Sequence, residues 1–201
     1  MQTFKQIQFN IGHWSLENFG NQDTPYLAVS QAGTVRRNQP RGPEDAPGDL
    51  LPDSSVALDS LAPLLGMVEE LGELADAATE LDTEDACADI GIYLCDYLCR
   101  MDMVWPTNPV LDTNKDPLQG MVSAVGKLAH ATLKRHQRIR GMHSPQDYRK
   151  AVADAVRELV YYLKVYTAKA TNTTLLEAMN QTWNKIVSKR DWRKDPEGDK
   201  A

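Results

Sequence analysis

The chain has 201 residues, a formal net charge of -6, 42% hydrophobic residues and 25% charged residues. That composition is globular, with enough length to bury a core, and the acidic balance speaks against general nucleic-acid binding. No apolar run reaches the ~20 residues of a bilayer-spanning helix and no N-terminal stretch is built like a signal peptide. The expectation is a cytoplasmic protein acting on a small molecule, with no nucleic acid and no membrane as partner.

Residues 1–57 open with a helix whose apolar side is Phe4, Ile7, Ile11, Trp14 and Leu16, broken near Gly20. Residues 36–57 are rich in Pro, Gly and Asp and read as loop. From residue 58 the period turns helical: Leu64, Met67, Val68, Leu71, Leu74, Ala75 and Ala78 follow the spacing of one buried stripe. A break at Leu81–Asp82–Thr83 makes Thr83 the N-cap of a second helix over about 84–101. These two helices form an acidic unit, residues 58–105. A connector, 106–119, holds Pro106, Pro109 and Pro117. A second unit, 120–195, contains a helix over 120–140, a turn, a helix over 147–170, a cap in "TNTT" and a last helix with a basic end, "LLEAMNQTWNKIVSKRDW". Cys87, Cys95 and Cys99, an odd number inside a helical pattern, fit reduced buried thiols rather than disulfides or a zinc site.

The second unit repeats the first. "GMVEELGELADA" (66–77) matches "GMVSAVGKLAHA" (120–131), and "DACADIGIYL" (85–94) matches "DAVRELVYYL" (154–163). The match sets Glu73 over Lys127, Asp85 over Asp154 and Asp89 over Glu158. No strand-like alternation competes. The expected class is all-α: a four-helix bundle built from two pseudo-symmetric helical hairpins, plus N-terminal and C-terminal helices.

The acids gather on the first copy. Glu69, Glu70 and Glu73 share a helix face, as do Asp85 and Asp89, with Asp96 two turns beyond on the same side. Massed carboxylates repel unless a cation neutralises them, and an all-oxygen set suits Mg²⁺ or Mn²⁺. The bland alternative is a solvated acidic surface on a helical interaction protein.

"LLGMVEELGELADAA" followed by "DACADIGIYLCDYL" resembles the MazG-like, all-α nucleoside triphosphate pyrophosphohydrolases, marked by an EExxE helix and a second helix with an acid three residues before an Asp. "TLLEAMNQTWNKIVSKRDW" resembles the closing helix of that family, and "HATLKRHQRIRG" a stretch of its phage-type members. The resemblance covers about residues 58–193. It implies Mg²⁺-dependent cleavage of a nucleoside triphosphate between the α and β phosphates. It also implies that Glu70, Glu73 and Asp89 bind metal, with Glu69 as the leading Glu of the motif. Ala86 stands where the family has an acid, and Asp85 is the nearest substitute, about 100° around the helix.

Glu69 or Glu70 is the candidate general base. Lys185, Lys189 and Arg190 are candidate phosphate contacts, because the resemblance sets basic residues of the last helix near phosphates. Lys127 is either an anion contact or part of a solvated face. Trp14 and Asn18 could hold a base, although a Trp in an amphipathic helix is more often core. A nucleotide-binding relative without turnover is the alternative function, and a homodimer is an open expectation.

Overall fold

The computed structural model describes residues 1–19, 27–29, 35–37, 60–107, 109, 115–137 and 145–190. Six α-helices dominate: α1 (Phe4–Phe19), α2 (Leu61–Asp76), α3 (Glu80–Arg100), α4 (Pro117–Gln137), α5 (Pro145–Ala170) and α6 (Leu175–Lys185), followed by a 3₁₀ turn (Val187–Lys189). The class is all-α. A short antiparallel ribbon, β1 (Leu27–Val29) against β2 (Val35–Arg37), pairs Ala28 with Arg36 and goes beyond the sequence reading, which foresees no strand.

The helix starts follow local chemistry. α3 begins at Glu80, not after Thr83. Thr79 is the N-cap, accepting from the Asp82 amide at 3.1 Å while Asp82 accepts from the Thr79 amide at 3.0 Å. This reciprocal capping box satisfies two donors at once and outcompetes a cap at Thr83. Thr83 lies inside the first turn, its hydroxyl donating to the Thr79 carbonyl at 2.9 Å. α4 and α5 both start on a proline, Pro117 and Pro145, two or three residues earlier than the periodicity suggests. Proline suits the first helical position because the N–H it lacks would have had no partner there. Asp116 caps α4 by accepting from the Gln119 amide at 3.1 Å. α6 begins with a second capping box, Thr174 and Glu177. It stops at Lys185, so the long closing helix of the sequence reading divides into a helix and a 3₁₀ turn, with residues beyond 190 outside those described.

Only three residues separate α2 from α3, so the two run antiparallel as a hairpin. α4 and α5 form the second hairpin, and the two dock through α3 against α5 and α2 against α4. α1 and α6 pack on the remaining sides of α3. Gln8, on α1, is buried and binds the chain just after α3 at both ends of its amide. Its Nε2 donates to the Met103 carbonyl, and its Oε1 accepts from the Trp105 amide, each at 2.8 Å.

The duplication is visible in side-chain packing. Gly66 lies under the ring of Tyr93: a Cβ there would be 2.5 Å from Cε1. Its counterpart Gly120 lies under Tyr162, where a Cβ would be 2.5 Å from Cδ1. Both pairs hold corresponding positions of the repeat, and each requires glycine because a tyrosine ring rests directly on the helix backbone. Met67 and Met121 are both fully buried, Val68 and Val122 both about half exposed at 49% and 54%.

The buried stripe of α2 is Pro63, Leu64, Gly66, Met67, Glu70, Leu71 and Leu74. Val68, Ala75 and Ala78, read as core from their spacing, face solvent. The stripe is centred one position away from that reading, and this brings Glu70 to the inside.

Candidate functional site

Glu70 follows Met67 by three residues and precedes Leu74 by four, so the same helical period that buries the methionine and the leucine buries the carboxylate. Its residue is 8% exposed. Across the hairpin, α3 presents Asp89, half-buried between the core residues Ala88 and Ile90. Glu69, Glu73 and Asp85 stand around this pair and are exposed.

The electrostatics bind these five acids into one group. Burial first, then Asp89, Glu73, Glu69 and Asp85, push the Glu70 carboxyl up to about 8. Asp89 is pushed up to about 7 by burial and then by Asp85; Arg190 opposes the rise and Glu73 adds to it. Near neutral pH both carboxyls are thereby drawn toward their protonated forms. A cation would reverse that preference by favouring the ionised forms.

The oxygen-only donor set fits a hard divalent ion in its chemistry. Among the described residues, no group of three or more His, Cys, Asp or Glu side chains is already converged to grip one. Ala86 is buried at 4% exposure, and the acid that takes up the charge beside it is Asp85, whose field reaches both Glu70 and Asp89. Asp96 serves a different contact: it accepts from Arg100 Nε at 3.0 Å, and Arg100 Nη2 donates to Ser15 Oγ at 2.9 Å, joining α3 to α1.

Of the candidate substrate residues, Arg190 is the one whose charge reaches the acids, acting on both Asp89 and Tyr93. Lys185 donates to Gln181 at 3.0 Å on the exposed side of α6, and Lys189 is exposed in the 3₁₀ turn. Neither is among the charges acting on Glu70 or Asp89. Lys127 pairs with Glu158 at 2.6 Å in the second hairpin. Trp14 is half-buried, meets Trp183 edge-on at 6.2 Å, and donates from Nε1 to the Arg190 carbonyl at 2.9 Å. Asn18 donates to the Trp14 carbonyl at 3.0 Å. Trp14 thus anchors the chain segment that carries Arg190.

Tyr93 belongs to the site as well, although its helical setting reads as packing alone. Burial, then Glu70, Glu69 and Asp89, raise its phenol above the ordinary tyrosine value, and Arg190 opposes them. The signal was present: Tyr93 lies four residues after Asp89, on the same face of α3.

The three cysteines are free and buried, as expected from their setting. Among the described residues no helix is long and apolar enough to cross a membrane. No protein-family model matches the chain, and neither curated proteins nor solved structures give a significant match.

Proposed function

We propose that the chain is an Mg²⁺-dependent nucleoside triphosphate pyrophosphohydrolase of the MazG-like class, converting a nucleoside or deoxynucleoside triphosphate to the monophosphate and pyrophosphate. The observation that carries this reading is the Glu70–Asp89 pair: two desolvated carboxyls on adjacent helices, driven toward neutrality by burial and by further acids around them. Burying such groups is costly, and a hydrophobic pair would serve the core better. A bound cation gives the arrangement a purpose.

Glu70, Glu73 and Asp89 would hold Mg²⁺, or Mn²⁺ in its place, with Asp85 as a further oxygen donor. When bound, the metal supplies charge neutralisation at phosphate oxygens and acidifies a coordinated water. Glu69 is exposed, one residue before Glu70, and stands outside that ligand set; it would take the proton of the attacking water. Arg190 would give its planar guanidinium to a phosphate, with Lys185 and Lys189 extending the basic side. The buried free thiols fit a reducing compartment, the cytoplasm.

The test is release of pyrophosphate from a nucleotide panel with Mg²⁺, the products resolved as pyrophosphate or single phosphate. Glu70→Gln and Glu73→Gln should each lower the rate about 100-fold, the usual scale for losing charge stabilisation at a reacting phosphate or carbonyl. Unchanged Mg²⁺-dependent release in both variants overturns the assignment.

A second reading, binding without turnover, is favoured by the buried Ala86 at the position of a family acid. Calorimetry separates the two, since tight nucleotide binding with no product formation supports the second.

A further inference from the structure

We infer that Trp14 is a positioning residue: its indole N–H holds the main chain of Arg190, and through it the guanidinium that meets the phosphates of the nucleoside triphosphate. The inference deepens the proposed function and rests on it.

Arg190 stands where no helix fixes it. α6 ends at Lys185, and the chain makes only the 3₁₀ turn Val187–Lys189 before reaching Arg190. Both polar groups of the Arg190 backbone are nevertheless held. Its N–H donates to the Val187 carbonyl at 3.1 Å, and its carbonyl accepts from Trp14 Nε1 at 2.9 Å. The first bond belongs to the turn; the second joins residues 176 apart in sequence. An indole has a single donor, and Trp14 gives it to this carbonyl. The ring meets the buried Trp183 edge-on, so packing fixes where that donor stands.

α1 is a firm support for the bond. Ser15, next to Trp14, accepts from Arg100 of α3, and Gln8 binds the chain just after α3 at two points. At the other end, the Gln2 amide donates to Asn180 Oδ1 at 2.8 Å, and Asn180 Nδ2 donates to the Gln2 carbonyl at 3.0 Å. α1 is thus bonded to α3, the helix that carries Asp89, and at both ends to the C-terminal segment. The Trp14 bond therefore sets Arg190 relative to the acids, and the charge of Arg190 does reach Asp89 and Tyr93. A planar guanidinium binds phosphate through two parallel bonds, a geometry that a loose backbone would degrade.

The decisive variant is Trp14→Phe, which keeps an aromatic ring beside Trp183 and removes the indole N–H. The probe is inorganic tripolyphosphate in Mg²⁺, which has neither base nor sugar, with affinity measured by calorimetry. Partial loss of a charge-assisted contact should weaken it about five-fold. KM for nucleoside triphosphates should rise by the same factor whatever the base, with kcat within about two-fold. Arg190→Ala should weaken the probe about thirty-fold, and adding Trp14→Phe should change nothing further, because both act through one contact. Asn180→Ala releases the other end of α1 and should lower Tm with affinity and KM unchanged. Wild-type affinity and KM in Trp14→Phe or in Arg190→Ala overturn the inference while the proposed function stands. So does a KM increase confined to one base, which would make Trp14 a base contact. An equal loss in Asn180→Ala, or a further loss from Trp14→Phe on top of Arg190→Ala, also overturns it by tracing the effect to loosening of α1. A wild-type chain that neither binds nor hydrolyses any nucleotide of the panel overturns the proposed function and this inference together.

Discussion

The Nζ of Lys127 lies 2.6 Å from both carboxylate oxygens of Glu158, on the face of the second hairpin where the repeat sets the counterparts of Glu73 and Asp89. One hairpin therefore neutralises this pair of positions with an ammonium of its own, while the other sets an acid against an acid. The shared seats of Tyr93 on Gly66 and Tyr162 on Gly120 show that the two frames superpose in packing as well as in sequence. The ion pair also shows that side chains at these two positions can reach each other across a hairpin.

Lys127→Glu should recreate the acidic arrangement in the second hairpin. In chelator, the new repulsion and the lost pair should cost about 1 kcal/mol, or roughly 2–4 °C in Tm for a chain of this size. Mn²⁺ should restore the loss, and paramagnetic titration should count one more bound ion than in wild type. A loss of Tm that Mn²⁺ leaves untouched, at unchanged stoichiometry, would sink the equivalence of the two positions.

The acid pair sets the direction of the pH response. Glu70 holds its proton up to about 8 in the folded chain against an ordinary value of 4.5, so across that window the folded state binds more protons than the unfolded one. Metal-free stability then falls as pH rises from about 4.5 to about 8, and Asp89 contributes with the same sign up to about 7. A divalent cation requires the ionised forms, so its stabilising effect grows over the same range. Thermal melts with and without Mg²⁺ should show little metal effect near the acidic end and several degrees near the alkaline end. Glu70→Gln should raise the metal-free Tm at the alkaline end and suppress the metal response. Equal Mg²⁺ effects at both ends count against the cation site.

Ala86 offers a gain-of-function test. Restoring an acid with Ala86→Glu places another carboxyl at a position only 4% exposed. In chelator this should cost about 3 kcal/mol, the scale for an uncompensated buried charge. Mg²⁺ should recover most of it and raise the turnover rate above wild type, both readable from melts and pyrophosphate release. A deficit that Mg²⁺ does not repair means that position 86 faces the core alone.

Much of the helix plan was legible because the apolar period is strong and the repeat supplies two readings of one unit. The boundaries were less so. Thr83 is as good a cap by residue type as Thr79, and only the reciprocal bond between Thr79 and Asp82 decides between them. The acids of the site were also legible, but their ranking was not. Counting Val68 and Ala75 as core turned the stripe away from Glu70, and the structure turns it back. Spacing could say which acids share a face, whereas burial, which distinguishes Glu70 from Glu69, depends on the neighbouring hairpin. Tyr93 stayed hidden because tyrosines on helices usually pack, and Gly66 marks it only once the ring is seen above the backbone.

α3 is enclosed by α1, α2, α5 and α6, and it carries Asp85, Asp89 and Tyr93. The repulsion around Asp89 thus cannot be relieved by fraying, because opening that stretch would strip the core from every side. The acids are held at close quarters by a helix that local unfolding reaches last. A cation arriving there would find its oxygen donors already fixed in place, and binding would displace their protons with little backbone motion. Amide exchange along α3 should be slow before the cation binds and remain slow afterwards.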